Sequence, residues 1–204
     1  MIGRGLAAIG FVLSLPVWPV VAAIVWASVG RPVLFRQQRA GLHRRSFTLV
    51  KFRTMTNACD GHGQLFPDAQ RQTAATRLLR RLRLDELPQL LMILRGDMAL
   101  VGPRPLFAET IDHWGELGRQ RCAVRPGMTG WAQIHGNTKL TEDEKLALDL
   151  WYVRHRSLAI DLKILALTVA TIIRGERVKP EMVRRAIAGL AAGRQATARP
   201  RANG

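Results

Sequence analysis

From Gly5 to Gly30 the chain runs 26 residues without a charged side chain, GLAAIGFVLSLPVWPVVAAIVWASVG. Wound as one α-helix the run would reach roughly 39 Å at about 1.5 Å per residue, against a hydrocarbon core of about 30 Å. Such a run is a cleaved signal peptide, a spanning helix, or a helix that enters one leaflet, breaks and returns. It exceeds the usual apolar length of about 7–15 residues in a signal peptide. Pro16 and Pro19 lie near its middle, where each removes a helix hydrogen bond and forces a kink. Ser14, just before, can rebond a freed carbonyl. Both flanks are basic, with Arg4 on one side and Arg31, Arg36, Arg39, Arg44 and Arg45 on the other. Positive charge marks the cytoplasmic side of a membrane. A hairpin that keeps both ends there satisfies both flanks, and a single span would still place the main domain in the cytoplasm. Residues alone leave re-entrant and spanning open.

The remainder, in a chain of 204 residues that is 48% apolar, supports one compact domain plus an appendage. Lys and Arg number 31 against 15 Asp and Glu, which suits phosphate groups, an anionic membrane surface or nucleic acid. Genomic composition is an alternative source of the Arg bias, above all in the tail. Cys59 and Cys122 allow one disulfide at most, so a reducing compartment is the default. The five histidines show no zinc-type spacing, and Cys59 with His62 reads as part of a Gly-rich loop.

The most informative stretch is Arg80 to Pro105, RRLRLDELPQLLMILRGDMALVGPRP. Two short strands precede it, Val33 to Phe35 and Phe47 to Phe52, around a turn at Arg39-Ala40-Gly41. Lys51 and Arg53 share one face of the second strand while Phe52 points to the core; a solvated strand face is the commoner explanation for such a pair taken alone. Thr56 to Ala69 reads as a loop. Arg71 to Leu84 reads as a helix carrying Arg77, Arg80, Arg81 and Arg83. Asp85 then reads as the N-cap of a second helix, with Glu86, Leu87 and Pro88 in its first turn and an apolar face of Leu90, Leu91, Ile93 and Leu94. Gly96 stops it. A helix N-terminus is a phosphate site. An ionised Asp beside a bound phosphate is a candidate nucleophile. A neighbouring Glu can help hold Mg²⁺, which binds through one or two carboxylates plus substrate phosphates. The competing reading is that Asp85 is only a cap and Glu86 only a first-turn acid.

Downstream, RPGMTGW from Arg125 to Trp131 is a turn-rich loop whose glycines permit close approach of a ligand. Trp131 stacks on a base or sugar, or else packs in the core. Thr141 and Glu144 form a capping box for a helix from about Glu142 to Arg154. Trp151 and Tyr152 near its end are candidates for a membrane interface. Ser157 to Ile173 is an apolar helix that lies on a bilayer or in the core. From Arg174 the chain is basic and alanine-rich, and about Arg194 to Gly204 is expected to be disordered.

Taken together, PVLFRQQRAG, KFRTM, LRRLRLDELPQL, RGDMALVGPRPL, RPGMTGWAQIHGN and LDLWYVRHRSLAIDLKIL, in this order behind a Pro-broken apolar hairpin, resemble the bacterial sugar transferases. These are the monotopic polyprenyl-phosphate phosphoglycosyl transferases, and the resemblance runs from Arg4 to about Glu176. It implies an α+β, mostly helical fold: a re-entrant membrane anchor over residues 1–31, a small cytoplasmic catalytic domain with amphipathic interface helices over 32–176, and a basic tail over 177–204. It also implies transfer of a sugar-1-phosphate from a UDP-sugar to polyprenyl phosphate, with Mg²⁺, at the bacterial inner membrane and with no nucleic acid. Asp85 matches the family's catalytic Asp, which attacks the sugar-bearing phosphate and expels UMP; Glu86 matches the metal-associated Glu. Lys51, Arg80 and Arg104 match phosphate-binding positions, and Asp97, Arg53, Pro103 and Pro105 supporting ones. Ser14 and Pro16 mark the helix break. The chain departs from the family's pattern at Met92 (usually Asn), Ala99 (usually Ser) and Thr76 (often Gly), and it looks like the minimal form without extra membrane helices. The competing classes are a non-catalytic binder of anionic lipid or nucleic acid, resting on the net charge of +16, and an inactive relative acting as a partner subunit. No stretch specifies the sugar.

Overall fold

Pro16 divides the apolar run. In the computed structural model, which describes residues 2–198, α1 (Ile2–Ser14) and α2 (Val17–Val29) meet at an angle of 66°. Among the described residues no single helix is long and apolar enough to cross a membrane, but this bent pair passes the same test jointly. Pro19 falls in the first turn of α2, where a missing N–H costs little, so Pro16 makes the break. Ser14 Oγ donates to the Phe11 carbonyl at 2.8 Å and accepts from Trp18 Nε1 at 3.1 Å.

The chain divides into two units, one of residues up to 39 plus 46–100, the other of 40–45 plus everything from 101. In the first unit β1 (Leu34–Ala40) and β2 (Ser46–Phe52) form a two-stranded sheet. The first strand is longer than expected because the reversal is delayed to a 3-10 turn at Leu42–Arg44, with His43 in the left-handed region. Phe52 is buried with Val21, Val25 and Leu79 in a core shared by α2, β2 and α3 (Ala74–Arg81). The third helix is shorter than Arg71 to Leu84. It starts from a capping box in which the Thr73 and Thr76 side chains each bond the other's backbone N–H, so Thr76 has a local function where the family often has Gly.

The expected N-cap at Asp85 is not what forms. Arg83 takes a left-handed conformation after α3, and Leu84–Glu86 closes a one-turn 3-10 helix through Glu86 N–H to Arg83 O and Leu87 N–H to Leu84 O. Pro88 brings no N–H and occupies the cap position of α4 (Gln89–Arg95), so the α-turn begins after it. Asp85 therefore sits in the tight turn before the helix, and no helix N-terminus is centred on it. Gly96 ends α4 at φ 93°, as expected. Leu90, Met92 and Ile93 are its buried apolar residues, and α1 packs on this helix.

The second unit contains α5 (Ala108–His113), α6 (Gly115–Arg121), β4 (Gly127–Thr129), α7 (Trp131–Ile134), α8 (Glu142–His155), α9 (Leu158–Arg174) and α10 (Pro180–Ala198). Ahead of them β3 (Ala99–Val101) leads in from the boundary, and from Val101 on the chain runs beside β4. Gly102 N–H donates to Thr129 O and Gly127 N–H to Pro103 O, both at 2.9 Å. The glycines of the RPGMTGW loop thus admit neighbouring backbone: a Cβ on Gly130 would fall 2.2 Å from the Gly102 oxygen. α8 forms the core with Leu146, Leu148 and Leu150, starting from the expected Thr141–Glu144 capping box. Its Tyr152 is not at a surface; the hydroxyl is buried and donates to Asp161 Oδ1 at 2.7 Å. α10 packs on α8 with Val183 and Ala186 buried, so 194–198 are helical rather than disordered; residues 199–204 lie outside the described ones. In α9 only Ile164 is buried, and Leu158, Leu162, Val169 and Ile173 leave an exposed apolar stripe.

Candidate active site

Among the described charged residues of the first unit, burial singles out Asp85 and Glu86. Their residues are 5% and 4% exposed, although carboxylates are among the groups most costly to remove from water. The turn that carries them packs against β2, which bears Lys51 and is followed directly by Arg53, and against α3, which bears Arg80. Arg83 Nη1 lies 3.1 Å from Glu86 Oε2, so the arginine at the strained position partly neutralises the dyad's second acid. Arg80 Nη1 is buried and has no hydrogen-bond partner among the described residues. A buried guanidinium donor without a partner costs free energy, and an anion is one group that satisfies it with a charge-assisted bond.

The other members of the first unit divide by role. Lys51 is half-buried with Nζ 5.6 Å over the Phe35 ring. Arg53 uses its guanidinium on backbone, Nη1 to Arg31 O at 2.8 Å and Nε to Met55 O at 3.1 Å, so it ties the end of α2 to β2. Between them Phe52 meets Trp18 edge-on at 5.8 Å, and Trp18 bonds Ser14. The helix break and the lysine strand are thereby joined through two aromatic rings. Asp97 is exposed on the turn after α4. That turn hangs on the Met92 carbonyl, which accepts the N–H groups of Gly96, Asp97 and Met98. Because the support is backbone, Met in place of Asn does not remove it.

Pro103, Arg104 and Pro105 lie in the second unit, with both prolines buried. So does a stack of rings that spacing alone did not reveal. His135, Trp131, Trp151 and His155 follow one another at centroid distances of 4.3, 4.6 and 4.5 Å, and Lys163 Nζ is 5.8 Å from the Trp131 ring. The i, i+4 spacing of Trp131 to His135 and of Trp151 to His155 was the signal available. Trp131 is buried, so core packing, the plainer of its two readings, is what forms. Burial lowers the His135 pKa from 6.5 to about 4, helped by Lys179 and Lys163 and opposed by its bond to the Trp131 carbonyl. Above pH 6.5 the ring is neutral folded or unfolded. As pH falls from there towards 4, only the unfolded chain takes up the proton, so stability drops by about 1.4 kcal/mol per pH unit, about 3 kcal/mol in all, and no further below 4. Thermal melts at pH 7.5 and pH 5 should show His135→Asn losing less stability than the wild type; equal losses would show that His135 does not titrate this way.

Among the described residues no group of three or more His, Cys, Asp or Glu is arranged to hold a metal. Asp85 and Glu86 offer only a pair of hard oxygen donors. That suits Mg²⁺, which is commonly held by one or two carboxylates with water and phosphate oxygens completing the shell.

The model of the family described as "Bacterial sugar transferase" matches residues 1–175. An uncharacterized sugar transferase, EpsL, of Bacillus subtilis is 48% identical over 77% of this chain and 78% of its own length. A UDP-N-acetylgalactosamine-undecaprenyl-phosphate N-acetylgalactosaminephosphotransferase of Aeromonas hydrophila is 34% identical over 85% of this chain. A UDP-glucose:undecaprenyl-phosphate glucose-1-phosphate transferase of Xanthomonas campestris pv. campestris is 40% identical over 76% of it. The match spans 44% and 35% of those two longer proteins.

Proposed function

Because the chain belongs to the bacterial sugar transferase family, we propose that it transfers a sugar-1-phosphate from a UDP-sugar to polyprenyl phosphate. The observation that carries this is the buried Asp85–Glu86 pair on the turn next to the open Arg80 donor: carboxylates packed where a phosphate is called for. A carboxylate oxygen of Asp85 attacks the phosphorus that bears the sugar. The new O–P bond forms as the bond to the UMP oxygen breaks, and UMP leaves with that electron pair. A phosphate oxygen of the polyprenyl phosphate then attacks the same phosphorus, the Asp85 O–P bond breaks, and the free carboxylate returns with a polyprenyl-diphosphate sugar as product. Arg80, Lys51 and Arg104 supply positive charge to the phosphates, where charge shifts onto the leaving group. Asp85 and Glu86 would hold Mg²⁺, whose contribution when bound is further neutralisation of the phosphate oxygens.

The reaction needs a soluble donor and a lipid acceptor at one surface. The bent α1–α2 pair, with Leu6, Ile9, Val12, Leu13, Val20 and Trp26 exposed, suits re-entry into one leaflet, and the apolar stripe of α9 by itself suits lying on a bilayer. The surrounding membrane is then the bacterial inner membrane, with the catalytic residues on its cytoplasmic face. Single cysteines placed at Gly3 and at Gly61 in a cysteine-free background should react with an impermeant maleimide from the same side of sealed vesicles; labelling from opposite sides would mean a span.

The named relatives use different sugars, so the donor is found by test. Membranes containing the protein are incubated with Mg²⁺, polyprenyl phosphate and a panel of UDP-sugars. UMP release together with label in the lipid fraction is expected for at least one donor. Salt-sensitive binding of anionic lipid or nucleic acid, without UMP release from any donor, would overturn the enzymatic reading.

A further inference from the structure

Arg104 is gripped on both sides of its Cα. Pro103 before it and Pro105 after it have restricted φ. The Pro103 carbonyl accepts the Gly127 N–H at 2.9 Å, and the carbonyl of Arg104 itself accepts Arg121 Nη2 at 2.6 Å. Arg121 is the last residue of α6 and is 3% exposed. Its guanidinium also meets Asp149 of α8, with Nε 2.9 Å and Nη2 2.7 Å from Oδ2, and stands 5.9 Å from the Trp114 ring. Asp149 is equally buried; desolvation pushes its carboxyl up and Arg121 draws it back. A buried ion pair is a poor way to stabilise a fold, since apolar side chains of similar volume often serve as well or better. An apolar pair has no means of donating a charge-assisted hydrogen bond to one chosen carbonyl.

We infer that Arg121 is a positioning residue for Arg104, and that Asp149 holds the Arg121 guanidinium in place to grip the Arg104 peptide. This rests on Arg104 being a phosphate-binding residue of the proposed transfer. The Arg104 side chain pivots on the peptide that Arg121 fixes, and a displacement of about 1 Å at a substrate-positioning group can cost about a hundredfold in rate.

The test compares wild type, Arg121→Met with Asp149→Leu, Arg104→Ala, and the triple variant, by melting temperature and by kcat and KM for the UDP-sugar donor. The Met/Leu pair is expected to melt close to wild type while kcat/KM falls about tenfold to a hundredfold. Arg104→Ala is then expected to cost a smaller factor on the Met/Leu background than on wild type, because the arginine it removes is already misplaced. If the Met/Leu pair does not fold, Arg121→Lys replaces it in the same cycle, keeping the charge but losing the fork. Equal cost of Arg104→Ala on both backgrounds, or wild-type kinetics in the variant lacking Arg121, would overturn the inference and leave the proposed function standing. Arg104→Ala without effect on wild type would overturn the phosphate role of Arg104 and this inference with it, and absence of UMP release by wild type would overturn both readings.

Discussion

Membranes carrying Asp85→Asn are expected to lose lipid labelling and UMP release together, by on the order of 10⁴-fold or more, as when a covalent nucleophile is removed. Asn keeps the size and shape of Asp but presents an amide, which does not form the mixed anhydride with phosphate that the first step requires. The substitution is close to isosteric in a turn held by backbone bonds from Glu86 and Leu87, so the melting temperature should change little. A folded Asp85→Asn protein that labels lipid as well as wild type would remove Asp85 from the nucleophilic role. Loss of lipid labelling with UMP release intact would instead place Asp85 after the first step.

Gly127→Ala is expected to cost about 3–5 kcal/mol and to lower the melting temperature by about 10 °C. A Cβ there would lie 2.0 Å from the Gly102 nitrogen, 2.5 Å from the Thr129 oxygen and 2.6 Å from the Gly102 Cα. All three are backbone atoms, so no side-chain rotation relieves the collision. The two segments must part, and the bonds from Gly102 to Thr129 and from Gly127 to Pro103 go with them. The peptide before Arg104 is thereby released, so transfer should fall as well. Gly61→Ala is the control, because a Cβ there meets nothing within 4 Å. Thermal unfolding of the detergent-solubilised protein decides it: equal melting of the two variants would mean that the Gly102–Gly127 approach is not required.

Features that depend on a few neighbouring residues were legible from the chain alone. Pro16 breaks the apolar run wherever it is placed, because it lacks an N–H and its ring collides with the preceding turn. The Thr141–Glu144 box and the stop at Gly96 are read the same way, from local bonds and a left-handed glycine. Asp85 as an N-cap was misplaced for an equally local reason: a left-handed arginine and Pro88 shift the helix start past the dyad. A positive φ at a non-glycine residue leaves almost no trace in composition. The motifs placed Lys51, Arg80 and Asp85 in one series but gave no distances among them. The open Arg80 donor depends on what surrounds it, and so does the Arg83–Glu86 pair.

Arg121 and Asp149 show the limit most clearly. They are 28 positions apart; Asp149 lies inside the LDLWYV stretch, whereas Arg121 lies between motifs, in a segment with no signal of its own. The sequence by itself determined the Pro-broken apolar run, the Thr141–Glu144 helix start, the stop at Gly96, the family and the candidate acids, because these follow from short-range sterics, periodicity and residue chemistry. Only the tertiary structure decided that Asp85 occupies a tight turn rather than a helix cap, that the loop glycines admit backbone, and that a buried arginine–aspartate pair reaches the Arg104 carbonyl. The physical reason is that burial and hydrogen-bond partnership belong to groups distant in the chain, and they acquire values only when packing brings those groups together.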